Sequence, residues 1–125
     1  MPLDTLKDAA VEFLTLVARG NVDEAFGRCV GPGLTHHNAY FPGDALSLKQ
    51  AMLDDATASP GKSLTVHRVL RDGDQVAVYS HVRQRADEPG WAVVHIFRFA
   101  EGQIVEMWDV GQEVPRDSPN ENGPF

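Results

Sequence analysis

Three imidazoles and one carboxylate stand out as groups able to move a proton: His37, His81, His95 and Asp109. Removing a proton beside a carbonyl needs a base that is free near neutral pH and a donor that holds the charge growing on oxygen. Imidazole meets the first need with its ordinary pKa of about 6.5. His95 reads as the leading base, Asp109 as its orienter or a second acid/base, and His37 as the third catalytic candidate. Tyr79 and His81 are expected at the carbonyl oxygen, while Asn38, Tyr40, Phe41, Trp91 and Trp108 are expected to wall the ligand.

Each candidate carries a condition. His81 and His95 meet only if the side of their strands bearing Ala77 and Tyr79 is also the side bearing Val93 and Phe97. Asp109 follows Trp108 in an apolar stretch, which is costly unless its carboxylate is paired or faces a wet cavity. Its partner is a histidine or Arg98, one strand away. Asn38 either fixes the tautomer of His37 or caps the turn. Burial lowers the pKa of His95 and a nearby Asp109 raises it; with a wet cavity mouth the carboxylate is expected to prevail, placing the working range between about pH 5 and 8. His36 and His67 are assigned structural roles.

Other chemistries find little support. Two histidines and a carboxylate can hold non-haem iron, but no His-x-His or His-x-Asp pair falls on one strand and the adjacent His36 and His37 diverge, so no metal is expected. The single cysteine, Cys29, allows no internal disulfide and reads as a small buried hydrophobe on a helix. Phosphate-loop, dinucleotide and nucleophile-elbow signatures are missing, so no cofactor is expected. A net charge of −7 with only 11 scattered Lys and Arg argues against nucleic acid and against anionic membranes. No apolar run approaches the roughly 20 residues of a membrane span, and Met1-Pro2-Leu3-Asp4 does not open a signal peptide, so the expected location is cytoplasmic.

The elements that must position these groups are legible in the periodicity. Residues 4–19 place Leu6, Ala9, Ala10, Phe13, Leu14 and Val17 on one helical stripe, with Gly20 as the stop. Asn21 with Glu24 reads as the cap of a second helix carrying Ala25, Phe26, Cys29 and Val30, broken by Gly31-Pro32-Gly33. An irregular loop runs from Leu34 to Asp44, and a third helix over about 46–58. Four alternating segments follow, at 63–71, 75–85, 90–100 and 103–111, joined by connections too short for a crossover helix, so they form an antiparallel meander.

The expected class is α+β in one domain over residues 1–125, with three N-terminal helices packed on a curved antiparallel sheet of about four main strands. The third and fourth strands are apolar on both sides, so one face is expected to cover a pocket and the other to form a homodimer. The tail at 115–125, rich in Pro, Asn and Gly, is expected to be ordered and to pack over the mouth of the fold.

Three stretches narrow the reading: Thr35-His36-His37-Asn38-Ala39; His95-Ile96-Phe97-Arg98-Phe99 before a Glu-Gly turn; and Ile104-Val105-Glu106-Met107-Trp108-Asp109-Val110-Gly111-Gln112 with Val114-Pro115 and Asn120-Glu121-Asn122. With the order of elements, they resemble the SnoaL-like group of the nuclear-transport-factor-2-like superfamily, in its branch of predicted SnoaL-like aldol-condensing proteins. The resemblance covers nearly the whole chain and implies a cone-shaped fold related to a polyketide cyclase that performs an intramolecular aldol condensation. Where such proteins commonly carry an acid/base aspartate, this chain has His95. The expected activity is a cofactor-independent lyase, isomerase or cyclase working on a small, mostly apolar carbonyl compound. The alternative is a non-catalytic domain that binds or senses a small ligand.

Overall fold

The hydrophobic period changes at Ser63, from three or four residues before it to two after it. The computed structural model, which describes residues 5–125, makes its last turn from helix to sheet at that point. Before it come α1 (Thr5–Ala18), α2 (Val22–Cys29), β1 (Val30–His36) and α3 (Ala45–Ala58); after it come β2 (Ser63–Asp72), β3 (Gln75–Arg83), β4 (Trp91–Ala100) and β5 (Gln103–Glu113). Asp4, the expected first helical residue, lies outside the described residues.

The helices bury the centre of the stripes read from sequence and add Leu16 and Val22 to them, while Leu6, Ala9, Val17 and Phe26 are partly buried and Val30 belongs to β1. Ala10, Phe13, Leu14 and Leu16 of α1 face inward, as do Val22, Ala25 and Cys29 of α2. Asn21 stands at the cap position of α2 without a capping side-chain bond. The cap that does form is at α3, where Asp44 accepts from the Ser47 N–H at 2.9 Å and from its hydroxyl at 2.7 Å.

The four expected strands form the antiparallel meander, and a fifth joins them in the order β1-β5-β4-β3-β2. β1 runs through the Gly-Pro-Gly segment read as a helix break and lies parallel to β5. Two features explain it. Leu34 and His36 alternate into the core, and Gly31 lets the backbones close up: a Cβ there would sit 3.2 Å from the Gln103 Cβ and 3.3 Å from the Val105 Cγ1. The parallel partner is reached through α3 and the whole meander, so short connections within the meander did not forbid it.

The hairpin between β4 and β5 decides which side chains share a face. Its turn residues, Glu101 and Gly102, both have positive φ, at 53° and 77°, which matches the right-handed twist of the flanking strands. From the turn the pairing runs Ala100 to Gln103 and Phe99 to Ile104, then shifts by one residue at Val105, so that Arg98 meets Glu106 and His95 meets Asp109. Without that bulge His95 would face Trp108, and Asp109 would point to the other side of the sheet.

The inner face packs on the helices around Phe97, whose ring meets Phe13 edge-on at 5.8 Å. The outer face carries Tyr79, His81, Trp108 and Val110. The tail lies on this outer face, across β2 and β3, and not over the cavity mouth as expected. Phe125 stacks on His67 at 4.4 Å and lies 4.7 Å from His81 and 5.5 Å from Tyr79, while the Tyr79 hydroxyl donates to the Pro124 carbonyl at 2.5 Å.

Gly90, the residue before β4, tests the tightness of this arrangement. Its φ is +82°, and a Cβ would overlap the Val82 carbonyl oxygen and stand 2.6 Å from the Arg83 side chain. Gly90→Ala should lower unfolding free energy by about 2 kcal/mol or more in urea titrations, whereas the same change at the open turn glycine Gly61 should cost far less.

Candidate functional site

A cavity of about 310 Å³ opens between the inner face of the sheet and helices α1 and α3. Its walls are mostly apolar, from Leu14, Val17, Leu48, Met52, Leu64, Val82 and Val93. Polar groups gather in two places: Asn38, His95 and Asp109 in one, Asp55, Lys62 and Gln84 in the other. A small apolar volume with few convergent polar groups has the form of a small-molecule site.

The first cluster is built from β4, β5 and the loop after β1. A chain of bonds organises that loop from His36, which is buried. The His36 Nε2–H donates to the Pro42 carbonyl at 2.5 Å and its Nδ1 accepts from the Asn38 N–H at 3.2 Å. Both ring nitrogens are used in the roles that one neutral tautomer offers. Asn38 then accepts from the Tyr40 N–H at 2.9 Å and donates through Nδ2 to the Asp109 Oδ2 at 3.0 Å. Of the two roles expected for Asn38 the structure shows the turn cap; Asn38 also steadies Asp109, and it is His36, not His37, whose tautomer is set.

His95 stands directly across the β4–β5 ladder from Asp109. Its ring is partly buried, with Nδ1 shut off from solvent and lacking a hydrogen-bond partner. Desolvation by packing is the main influence on the ring and lowers its pKa; the Asp109 carboxylate opposes this and the Lys62 ammonium adds to it, and the pKa is pushed down to about 4. This reverses the expectation that the carboxylate would prevail, because the apolar walls and a cationic neighbour outweigh one partly solvated carboxylate. His95 is a neutral imidazole at pH 7, able to accept a proton weakly or to donate its N–H.

Four sequence candidates thus face the cavity: His95, Asp109, Asn38 and Phe41. The other six do not join them. His37 lies on the opposite face, where it is stacked on Trp108 with centroids 5.0 Å apart and its Nε2 is 2.7 Å from the Glu106 carboxylate. The His37 bond, and then the Arg98 bond at 3.0 Å, hold the Glu106 carboxyl below its usual range. Arg98 is therefore spoken for by Glu106 and not by Asp109. Tyr79 and His81 also point outward, because β3 pairs with β4 so that Val78 is opposite His95. His81 donates there to the Pro89 carbonyl at 2.6 Å. Tyr40 is 87% exposed and Trp91 44% exposed, both outside the cavity wall.

Sequence reasoning missed the second polar cluster. The Lys62 ammonium is 2.6 Å from the Asp55 Oδ2, and the Gln84 Nε2 donates to the Asp55 Oδ1 at 2.8 Å. A signal was present: Asp55 follows Leu48 and Met52 at helical spacing, so α3 carries a carboxylate on its inward stripe. Among the described residues no group of His, Cys, Asp and Glu is placed to hold a metal, and no helix is long and apolar enough to cross a membrane.

Comparisons with known proteins agree with this architecture. A family model described as SnoaL-like domain matches residues 10–107. AclR from Streptomyces galilaeus, named as a candidate hydroxylase, superposes with TM-score 0.71 at 21% identity, over 86% of this chain and 88% of its own. A candidate polyketide cyclase from Bacillus cereus gives TM-score 0.73 at 20% identity, over 86% and 74%. A candidate ketosteroid isomerase from Kribbella flavida gives 0.71 at 18%, over 93% and 84%. These likenesses carry the fold. No curated protein sequence matches the chain.

The depressed pKa of His95 has a consequence for stability. The unfolded chain protonates this ring near the ordinary 6.5 and the folded protein only near about 4, so the unfolded state binds the proton first as pH falls. The contribution is fully present above about pH 6.5 and is lost progressively toward pH 4. Urea unfolding between those limits should show a steeper loss in the wild type than in His95→Gln; parallel curves would contradict the burial of a neutral ring.

Proposed function

Because the chain belongs to the SnoaL-like domain family, we propose that it is a cofactor-independent enzyme that enolises a small, mostly apolar carbonyl compound, as an aldol-type cyclase, isomerase or dehydratase. The observation that carries this reading is the pairing of His95 with Asp109 on one wall of an apolar cavity. The names of similarly folded proteins, polyketide cyclase and ketosteroid isomerase, agree with carbonyl chemistry.

The roles follow from the two environments. Asp109 is tied by Asn38 at Oδ2, which leaves Oδ1 to take a proton from the carbon beside the carbonyl. The C–H electron pair moves into the enolate, and the neutral His95 ring donates its N–H to the oxygen where charge collects. This exchanges the parts expected from sequence: a ring with a pKa of about 4 is a weak base but a competent neutral donor. The enolate then attacks a second carbonyl or is reprotonated at another carbon.

A second reading, a binding or sensing domain, is favoured by one observation: a histidine that stays neutral across the physiological range can hold a ligand's polar group without turning it over. Proton exchange separates the two. Wild-type protein with α-tetralone in heavy water should replace the protons beside the carbonyl faster than buffer, and His95→Ala or Asp109→Asn should each slow this by on the order of 10²-fold or more. Ketone bound without exchange would favour the binding domain, and undiminished exchange in both variants would remove the proposed roles.

The reading includes a homodimer through the part of the outer face that the tail leaves open, around Trp108 and Val110, the latter 72% exposed. Light scattering at micromolar concentration should report about twice 13.7 kDa. A mass of one chain would contradict the homodimer.

A further inference from the structure

Asp55, Lys62 and Gln84 face the same cavity as His95, and none of them moves a proton or touches the carbonyl oxygen in the proposed reaction; only the Lys62 charge is felt at the His95 ring. Val78 is the β3 residue opposite His95, and Gln84 lies beyond the end of β3 on the far side of Val82. Their internal bonding leaves a defined deficit. Both Asp55 oxygens are engaged, one by Lys62 at 2.6 Å and the other by the Gln84 Nε2 at 2.8 Å. A carboxylate only accepts, so this contact fixes the orientation of the Gln84 amide and makes Oε1 the atom left over. That Oε1 is buried with no donor. The Lys62 ammonium is largely buried too, its side chain 19% exposed, with one of its three protons directed at Asp55.

We infer that Asp55, Lys62 and Gln84 form a specificity site for a hydroxyl group, so that the substrate is a hydroxylated carbonyl compound rather than a plain ketone or a keto acid. The inference rests on the carbonyl reading of the His95 end. A hydroxyl both donates and accepts: it supplies the proton that Gln84 Oε1 lacks and takes one from Lys62. A hydrocarbon end covers the cluster and leaves those groups unpaired, which costs binding. A carboxylate end accepts from Lys62 but cannot donate to Gln84, and it brings a second negative charge beside Asp55. Sites built to pair a hydroxyl reject the analogue that lacks it more strongly than apolar pockets discriminate by shape.

Calorimetry with α-tetralone, its ring-hydroxylated isomers and a ring-carboxylated analogue tests this. At least one hydroxylated isomer should bind the wild type about tenfold or more tightly than α-tetralone. That advantage should vanish in Gln84→Met and in Lys62→Met, because the hydroxyl then loses the acceptor or the donor it pairs with. Gln84→Met keeps the Lys62–Asp55 pair and so serves if Lys62→Met fails to fold. No gain for any isomer, a gain that survives both substitutions, or a preference for the carboxylate would overturn the hydroxyl site and leave the carbonyl reading standing. If neither α-tetralone nor any hydroxylated isomer binds, or if those that bind leave the His95 ring resonances unperturbed, the carbonyl reading fails and the hydroxyl site falls with it.

Discussion

A single extra residue in β5 determines what the cavity can do. The bulge at Val105 moves the β4–β5 register by one, and every side chain beyond it changes face. Met107 and Asp109 then point inward while Glu106 and Trp108 point outward. Asp109 meets His95 in the cavity, Glu106 takes Arg98 and His37 on the other side, and the Trp108 ring becomes a platform for His37. Removing the bulge would put an indole opposite His95 and leave a lone carboxylate on the outer surface. The positive-φ turn at Glu101 and Gly102 and the close approach of Gly31 to Val105 hold the strand in that register.

The inner face so defined sets a contest between solvent and charge at His95. Apolar neighbours and Lys62 depress its pKa, Asp109 raises it, and the outcome is a ring that stays neutral at pH 7. Asn38 helps keep Asp109 in place, and Asn38 in turn depends on the buried ring of His36. A histidine outside the cavity wall therefore positions the carboxylate that faces the cavity. The cavity wall thus carries two polar clusters, His95 with Asp109 and Asp55 with Lys62 and Gln84, set in apolar surroundings.

Much of the architecture was legible because period and turn chemistry are local properties. The helical stripe of α1, the alternation of β2 to β5 and the Glu-Gly turn need no knowledge of distant residues. β1 was not legible, because Gly-Pro-Gly reads as a break until β5 is there to pair with it. The faces of β3 were misjudged for a related reason. Val76 and Val78 are fully buried and the row of Tyr79 and His81 lies outside, so the aliphatic row, and not the aromatic one, marked the inside. The placing of His37 depended on a bulge that no strand pattern announces. His95 and Asp109 survived as a pair because a polar residue in an otherwise apolar strand demands a partner or a cavity wherever the register falls.

The account stands on His95 being a neutral imidazole in a desolvated site opposite Asp109. A nitrogen-15 titration of the histidine rings reads this directly. The account predicts a His95 midpoint at about 4, moving lower in Asp109→Asn, where the one influence that raises it is removed. A His95 midpoint between about pH 6 and 7 in the wild type would contradict it, because either the ring is solvated or Asp109 outweighs its burial.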